Sequence, residues 1–363
     1  MIFESGMEKL LKELDKQLEG ELYDDSLMRH LYATDASVYH ELPLAVAVPK
    51  SKEDIRKIIR FAHDRHISLI PRAAGTSLAG QCVGRGIVVD ISKYFNHILE
   101  INPTEQWVRL EPGVIRDELN HHLQPYGLFF GPNTSTANRC MIGGMVGNNS
   151  CGSSSIVYGS TRDHVLELTA FLSDGSEVIF KALNPEEFEA KLKGNNLENK
   201  IYQHLYKSLQ PEAVQEEIRE QFPKPGIHRR NTGYAIDLLL DMQPFGGDQP
   251  FDLCKLVCGS EGTLAFVTEI KLHIDVLPPP GSVLVCAHFD SIDASMKATL
   301  LAMNLHPFAC ELMDKVILDC TIGNIEQEKN RFFIKGNRRA VLMVEFRAEK
   351  FSEAEAKASV FIR

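Results

Sequence analysis

Three segments of the sequence are rich in glycine, alanine, serine and threonine and could bind an anion through the main chain. They read PRAAGTSLAG at 71–80, PNTSTANRCMIGGMVGNNSCG at 132–152 and GSEGTLAFVT at 259–268, and we call them the first, second and third small-residue segments. Small side chains let successive N–H groups point at one anion, and hydroxyls add further donors. One such segment is typical of a structural turn, whereas three predict a large ligand such as a dinucleotide.

The two common nucleotide-binding motifs are both missing around the first segment. A phosphate-binding P-loop ends in a Lys-Ser/Thr pair, and no lysine stands between residues 69 and 92. The Gly-x-Gly-x-x-Gly fingerprint also fails, because Gly84 and Gly86 are followed by Ile-Val-Val. A phosphate bound here would therefore be held mainly by main-chain donors.

Composition and charge indicate a globular protein that does not bind nucleic acid. Of the 363 residues, 44% are hydrophobic and 24% are charged, and the net charge is −10. We find no secretory signal pattern and no apolar run close to the roughly 20 residues that cross a bilayer. We therefore expect a cytoplasmic protein without a transmembrane segment, in which the eight cysteines are reduced thiols.

No set of metal ligands is evident from the residue spacing. Cys254 and Cys258 lie four positions apart, but a single pair lacks the further ligands that a zinc or iron–sulfur site requires. His121 and His122 are adjacent on a predicted helix and so face different directions. We expect no metal site in this chain.

Hydrophobic periodicity predicts an α+β protein. The predicted elements are a strand–helix–strand unit over 44–92, hairpins over 97–113 and 165–180, and a helical insertion over about 181–222. Ser51 and Asp54 are spaced to form a capping box at the start of the first of these helices. Asp174 and Gly175 are typical turn residues for the second hairpin.

The second segment and its continuation to residue 159 are too apolar for a flexible linker. We expect six of its side chains to be buried anchors: Met141, Ile142, Met145, Val146, Ile156 and Val157. Further along, three prolines at 278–280 predict a domain boundary, followed by two strand–helix patterns of a smaller α+β unit.

The three small-residue segments, together with GSSSIVYGSTRDHV and RRNTGYAIDLL, resemble in order and spacing the FAD-linked oxidases of the vanillyl-alcohol oxidase type. The resemblance is closest to the D-lactate, glycolate and D-2-hydroxyglutarate dehydrogenase branch and covers residues 40–275. It implies a two-subdomain, PCMH-type FAD-binding domain followed by part of a cap domain. The implied organisation is an N-terminal helical segment (1–40), the FAD-binding domain (41–277) and a partial cap (278–363).

The resemblance also implies which residues bind FAD. The first segment would hold the pyrophosphate, the second would flank the flavin and its ribityl chain, and the third would line the rest of the pocket. The implied residues are Pro71, Arg72, Ala73, Ala74, Gly75, Thr76, Ser77, Leu78, Pro132, Asn133, Thr134, Ser135, Thr136, Gly143, Gly144, Asn148, Asn149, Ser150, Cys151, Gly152, Glu261, Gly262 and Val267.

Two departures from the family pattern bear on how FAD is held. Ala73 and Ala74 stand where many relatives have glycine, which keeps the segment small but narrows its backbone freedom. Relatives with covalent 8α-histidyl FAD carry a histidine in this first segment, and none stands between residues 71 and 92. We therefore expect non-covalent FAD.

In this interpretation the protein is an FAD-dependent oxidoreductase that converts a D-2-hydroxy acid to the 2-oxo acid by hydride transfer to flavin N5. An arginine should pair with the substrate carboxylate. The candidates for contact with the substrate are Arg229, Arg230, Asn231, Tyr234 and Glu311, and His228 is a weaker candidate base. The paired-histidine metal motif of the family is not found in these residues, which again predicts no metal.

Two alternatives remain open from the sequence. The chain could be a flavin oxidase of a different alcohol or of a sugar lactone. It could also be a non-catalytic FAD-binding fragment, the N-terminal part of a larger flavin and iron–sulfur dehydrogenase, because the family's distal motifs do not occur in it. The sequence leaves the electron acceptor open, and an iron–sulfur module is one candidate.

Overall fold

The structure is a computed structural model that describes residues 2–227, 229–231 and 233–363, with the side chains of residues 2–5 excepted. The chain divides into two compact units. The first comprises the chain up to Phe130, Thr134–Ser150 and Ser160–Asp275, and the second comprises Gly131–Asn133, Cys151–Gly159 and Val276–Arg363.

Helices and strands alternate irregularly along the chain, in agreement with the predicted α+β class. The strands are β1 Glu21–Tyr23, β2 Ala45–Val48, β3 Leu69–Arg72, β4 Ile87–Asp90, β5 Ile98–Asn102, β6 Trp107–Leu110, β7 Leu128–Phe129, β8 Val165–Phe171, β9 Glu177–Leu183, β10 Phe251–Asp252, β11 Phe266–His273, β12 Asp275–Val276, β13 Gly281–Phe289, β14 Ala309–Asp314 and β15 Ala340–Ala348. The helices are α1 Ile2–Asp15, α2 Ser26–Leu31, α3 Lys52–Arg65, α4 Arg116–Leu123, α5 Ile142–Asn148, α6 Ser155–Tyr158, α7 Thr161–His164, α8 Pro185–Lys193, α9 Leu197–Leu209, α10 Glu212–Gln221, α11 Ile236–Leu239, α12 Cys254–Val257, α13 Ile292–Met303, α14 Lys315–Cys320, α15 Ile325–Glu328 and α16 Phe351–Ile362. None of the described helices is long and apolar enough to cross a membrane.

The first sheet of the first unit has the order β1-β2-β4-β3, in which β2, β4 and β3 are parallel and β1 is antiparallel to β2. The strands β2 and β4 are buried along their whole length, as expected for apolar runs inside a parallel sheet. Helix α3 forms the crossover between β2 and β3 and buries an apolar face. The small-residue loop after β3 therefore starts at the carboxyl end of a parallel strand.

The predicted capping box at the start of α3 forms only in part. The Ser51 hydroxyl accepts a hydrogen bond from the Asp54 N–H over 3.2 Å. The fully buried Asp54 carboxylate instead accepts from the N–H groups of Glu19, Gly20 and Lys50, each at 2.9 Å. It thereby joins the turn before β1 to the start of α3, so residues before Glu21 are part of the first unit's framework.

The second sheet of the first unit is antiparallel, with the order β10-β9-β8-β11-β6-β5. Both predicted hairpins are present, as β5 with β6 and β8 with β9, and Gly175 has the positive φ of 77° that such a turn requires. Helices α8, α9 and α10 fill the segment predicted as a helical insertion, although β9 runs on to Leu183. Their aromatic residues pack into the core of this sheet: Phe188, Tyr202 and Tyr206 against Phe245 and Phe251.

The second unit contains a three-stranded antiparallel sheet, β13-β15-β14, with its core against α13 and α16. The short helix α6 also belongs to this unit, where Tyr158 makes an edge-to-face contact with Phe308. The prediction that Ile156 and Val157 are buried is wrong, because they are 42% and 52% exposed. A single helical turn cannot bury all its side chains on one side, and here Tyr158 makes the packing contact. Ile142, Met145 and Val146 are buried as predicted.

Candidate functional site

The three small-residue segments meet within the first unit. A Cβ atom built on Gly144 of the second segment would lie 3.6 Å from the Cβ of Ala73 in the first. A Cβ atom on Gly262 of the third segment would lie 3.0 Å from Cγ of Pro71. The first segment thus lies next to both of the others, and a side chain at Gly262 would crowd Pro71, whereas one at Gly144 would make an ordinary contact.

Main-chain and side-chain hydrogen bonds tie the same segments together. The N–H of Glu261 donates to the carbonyl of Gly147 over 2.8 Å. The amide nitrogen of Gln81 donates to Oδ1 of Asn148 and to Oε1 of Glu261, each over 2.8 Å. Nδ2 of Asn231 donates to the carbonyl of Asn148 over 2.6 Å. Residues that lie far apart in sequence therefore form one connected network.

The first segment offers a row of unused main-chain donors. Within the described residues, no oxygen accepts a hydrogen bond from the N–H groups of residues 73–78. Gly75 has a positive φ of 65°, and alternation of this conformation with ordinary ones turns successive N–H groups into one concavity. The residues of the segment are partly exposed. Its chemistry fits the pyrophosphate of a dinucleotide.

Arg72 supports this loop with its side chain. Nη1 of Arg72 donates to the carbonyl of Thr34 over 2.8 Å and to that of Cys82 over 3.4 Å, and the guanidinium lies 5.1 Å from the centre of the Tyr32 ring. A Cβ atom on Gly75 would lie 2.5 Å from Nη2 of Arg72. The guanidinium thus lies close to Gly75 within the loop and hydrogen-bonds to Cys82, just after the loop ends.

The predicted residues of the second segment divide between the two units. Pro132, Asn133, Cys151 and Gly152 belong to the second unit. The remaining ones belong to the first unit: Thr134, Ser135, Thr136, Gly143, Gly144, Asn148, Asn149 and Ser150.

Two of the residues expected to line the pocket make close packing contacts. A Cβ atom on Gly143 would lie 2.5 Å from Cβ of Pro112, and the Gly143 N–H donates to the Pro112 carbonyl over 2.7 Å. Val267 is partly buried against the core of the second sheet, beside a bulge in β11. Both residues therefore shape the site through packing.

The loop that carries most of the candidate substrate residues is attached to the second and third small-residue segments. Tyr234 Oη lies 2.7 Å from Oγ1 of Thr263, whose hydroxyl donates to the Ser260 carbonyl over 2.6 Å. The tyrosine hydroxyl is therefore the donor to Thr263. Arg230 forms an ion pair with Asp237, whereas Arg229 is exposed. Of the two candidate arginines, Arg229 is the exposed one.

The other two candidates are placed differently. Glu311 lies on β14, at the edge of the three-stranded sheet of the second unit, and pairs with Met343. His228 lies outside the described residues.

A buried arginine in this region escaped the sequence prediction. Arg162 is 5% exposed, and its Nε and Nη2 donate to the Cys258 carbonyl over 3.2 and 2.7 Å. Its N–H donates to Oδ1 of Asn149 over 2.9 Å. Burial lowers the pKa of Arg162. From the sequence alone, an arginine among short polar residues is expected to be solvated. Only the position of Arg162 within the YGSTRDHV motif could have indicated a role.

The two closely spaced cysteines have structural contacts. Cys254 Sγ donates to the Phe180 carbonyl over 3.2 Å, and Cys258 Sγ lies 3.8 Å from Oδ1 of Asn149. Burial raises the pKa of Cys254, and it raises that of Cys258 to about 12, so both remain thiols. In the described part of the chain, no group of three or more His, Cys, Asp or Glu residues could hold a metal ion.

Comparison with known proteins identifies the domain that carries the first and second small-residue segments. Residues 43–181 match the FAD binding domain family. The chain is 38% identical over 315 residues to D-2-hydroxyglutarate dehydrogenase of Escherichia coli (strain K12), which covers 85% of this chain and 30% of that protein. It is 34% identical over 352 residues to the enzyme of the same name from Pseudomonas putida (strain KT2440), covering 95% of this chain and 34% of the relative.

The chain is also similar to more distant relatives and to solved structures. The glycolate oxidase subunit GlcD of Bacillus subtilis (strain 168) is 26% identical over 343 residues, 93% of this chain and 59% of that subunit. Two structures of alkyldihydroxyacetonephosphate synthase match with TM-scores of 0.62 and 0.61 at 15% identity. They cover 98% of this chain and 58% and 59% of theirs, and at this identity they show the fold alone. The chain thus spans about a third of the length of the dehydrogenases it matches.

Proposed function

We propose that the chain uses the FAD-binding domain that residues 43–181 match to oxidise a D-2-hydroxy acid to the 2-oxo acid. The proposal is supported by how much of the chain the similarity covers. The match to D-2-hydroxyglutarate dehydrogenase extends over 85% of this chain, well beyond the FAD-binding domain. Identity is 38% to that enzyme and 26% to the glycolate oxidase subunit, which favours D-2-hydroxyglutarate as the substrate.

The proposal assigns a part to each region of the chain. Residues 41–277 bind FAD, residues 278–363 form part of the cap, and residues 1–40 complete the framework of the first unit. An iron–sulfur module as the candidate electron acceptor and the cytoplasmic location expected from the sequence also belong to this proposal.

The residues of the first unit would hold the cofactor and orient the substrate. Bound FAD supplies the flavin ring that accepts a hydride from the substrate's α-carbon. The unused N–H groups of residues 73–78 would bind the pyrophosphate. Without a histidine in residues 71–92, the cofactor would be held by non-covalent contacts alone. Arg229 would pair with the substrate carboxylate, for which a planar guanidinium offers two parallel hydrogen bonds.

The spectrum of the purified chain tests the cofactor assignment. We expect a yellow protein with flavin absorbance, from which acid precipitation releases all the flavin into the supernatant. A colourless protein that takes up no added FAD would contradict the proposal, and yellow colour that stays in the acid pellet would contradict non-covalent binding.

A charge substitution in the first segment tests where the pyrophosphate lies. Thr76→Asp places a carboxylate among the N–H donors, while Thr76→Asn has nearly the same shape without the charge. We expect Thr76→Asp to weaken FAD binding about a hundredfold, because a like charge is brought next to the pyrophosphate. Thr76→Asn should bind within about threefold of the unsubstituted chain. Equal affinities of the two variants would place the pyrophosphate elsewhere.

Anaerobic bleaching of the flavin tests the substrate. D-2-hydroxyglutarate should bleach it, and L-2-hydroxyglutarate should not. Bleaching only by D-lactate or glycolate would assign a different substrate of the same class. Bleaching only by another alcohol or a sugar would favour the alternative oxidase, and a flavin that no candidate reduces would favour a non-catalytic FAD-binding role.

A further inference from the structure

Gln81 connects all three small-residue segments with a single amide group. It follows the first segment directly, and its Nε2 donates to Asn148 of the second and to Glu261 of the third. Both distances are 2.8 Å, so both hydrogens of the amide are used. The partners lie 67 and 180 positions away in sequence. No other side chain in the described part of the chain bridges these three segments.

The direction of these hydrogen bonds is fixed by chemistry. An ionised carboxylate only accepts, so the Glu261 side chain must face the NH₂ group of Gln81. Nδ2 of Asn148 donates to Oγ of Ser150 over 3.0 Å, which leaves Oδ1 of Asn148 towards Gln81. The arrangement therefore has one consistent assignment of donors and acceptors.

The backbone of Glu261 suggests that its side chain is needed. Glu261 has a φ of 56°, in the left-handed region where a residue other than glycine is strained. Glycine would adopt this conformation without strain, as Gly262 does at φ 75°. A strained glutamate within the third small-residue segment points to a role for the carboxylate that glycine could not fill.

We propose that Gln81 and Glu261 form a positioning pair that holds the three segments in register and slows the release of FAD. The inference rests on the proposed FAD binding and adds to it a device for retaining the cofactor. The pair acts through the segments, by fixing where their main-chain donors point. Glu261 is exposed and Gln81 is half-buried, so the bond between them contributes little to global stability. Loss of this bond should therefore change mainly the positions of the three segments.

Single and double substitutions test the pair in the full 363-residue chain, with FAD affinity and release followed by flavin fluorescence. Gln81→Leu and Glu261→Leu should each raise the Kd for FAD about tenfold, mainly through faster release. The double variant should bind FAD no more weakly than Gln81→Leu alone, because that change already removes the bond to Glu261. Glu261→Gln keeps an acceptor oxygen and should stay within about threefold of the unsubstituted chain.

Glycine substitutions separate positioning from a purely structural role. Glu261→Gly relieves the backbone strain and should raise the unfolding midpoint of the FAD-free protein while it weakens FAD binding. Gln106 has the same φ of 56° on the turn between β5 and β6 and serves as the matched control. Gln106→Gly should raise the midpoint and leave FAD binding unchanged.

The outcomes distinguish this inference from the proposed function. A protein that binds no FAD overturns both. If the unsubstituted chain binds FAD and the leucine variants bind it equally well, the positioning pair alone is overturned. A double variant weakened about a hundredfold would also overturn the pair, because additive effects indicate two independent contacts with the cofactor.

Discussion

Arg230 and Asp237 form an ion pair whose side chains are only 15% and 13% exposed. Oδ1 of Asp237 is buried and has no hydrogen-bond partner among the described residues. The carboxylate therefore serves mainly to balance the guanidinium. This pairing distinguishes two adjacent arginines that are equivalent in sequence, because it engages Arg230 and leaves Arg229 exposed.

Asp237→Asn should destabilise the protein by about 3 kcal/mol, because it leaves the charge of Arg230 enclosed without a counter-charge. The measurement is urea-induced unfolding of the chain. Asp241→Asn, an exposed position four residues on, is the control and should change the free energy of unfolding by less than about 0.5 kcal/mol. Equal effects at the two positions would show that the pair contributes nothing.

Arg229→Ala should raise the concentration of D-2-hydroxyglutarate needed for half-maximal flavin reduction about tenfold or more, through loss of a bidentate contact with the substrate carboxylate. Anaerobic reductive titration measures it. The free energy of unfolding should not change, since the side chain is exposed. A titration like that of the unsubstituted chain would remove Arg229 from the proposed site.

Asp54→Asn should lower the free energy of unfolding by about 2–3 kcal/mol, because the buried carboxylate accepts three main-chain hydrogen bonds and an amide has one acceptor oxygen. Chemical denaturation measures the change. Asp64→Asn makes the same substitution on the same helix, where the side chain is 69% exposed, and should be nearly neutral. Similar values for the two variants would mean that water replaces the Asp54 contacts.

Gly75→Ala and Gly127→Ala both place a Cβ at a positive φ, of 65° and 71°. Each should cost about 1 kcal/mol of stability from backbone strain. At Gly127 nothing lies within 4 Å of the added Cβ, whereas at Gly75 the Arg72 guanidinium lies 2.5 Å away. Only Gly75→Ala should therefore weaken FAD binding, and the Kd for FAD of each variant checks this. Unchanged FAD affinity in Gly75→Ala would show that the loop tolerates movement of Arg72.

Stability should decline at high pH because burial raises the pKa of several cysteine thiols, among them Cys82, Cys254 and Cys258. Burial raises the pKa of Cys82 to about 11 and that of Cys258 to about 12, against 9.0 when unperturbed. Above pH 9 the unfolded chain loses these protons before the folded chain does, so the free energy of unfolding falls as the pH rises towards 11–12. Urea unfolding at pH 8 and pH 10.5 should show a smaller decline in Cys258→Ala than in the unsubstituted chain. An equal decline would mean that other groups account for it.

Local features were predictable because their causes are local. The hairpin at Asp174 and Gly175 forms where turn chemistry and strand alternation agree, and Ser51 caps α3 as its spacing indicates. The three small-residue segments predicted a large ligand, and their resemblance to the FAD-linked oxidases implied an FAD-binding domain, which the family match over residues 43–181 confirms. These features depend on residues within a few positions of one another, or on a pattern that many related chains share.

Side-chain partners across the fold were not predictable from spacing. Asp54 looks like one half of a capping box, but its carboxylate bonds to Glu19 and Gly20, about 35 positions away. Ile156 and Val157 look like core residues but are exposed, since one turn of helix presents only one side to its neighbours. In both cases the partner is set by which elements the fold brings together.

The sequence by itself determined the fold class, because helix and strand periodicity is local, and its resemblance to the FAD-linked oxidases implied the cofactor. Only the tertiary structure decided that Gln81 meets Glu261, that Arg162 is buried and that Arg230 is paired while Arg229 is exposed. The physical reason is that hydrogen bonds and ion pairs act over a few ångströms through space. The pairing of strands and the packing of loops, rather than distance along the chain, decide which groups come that close.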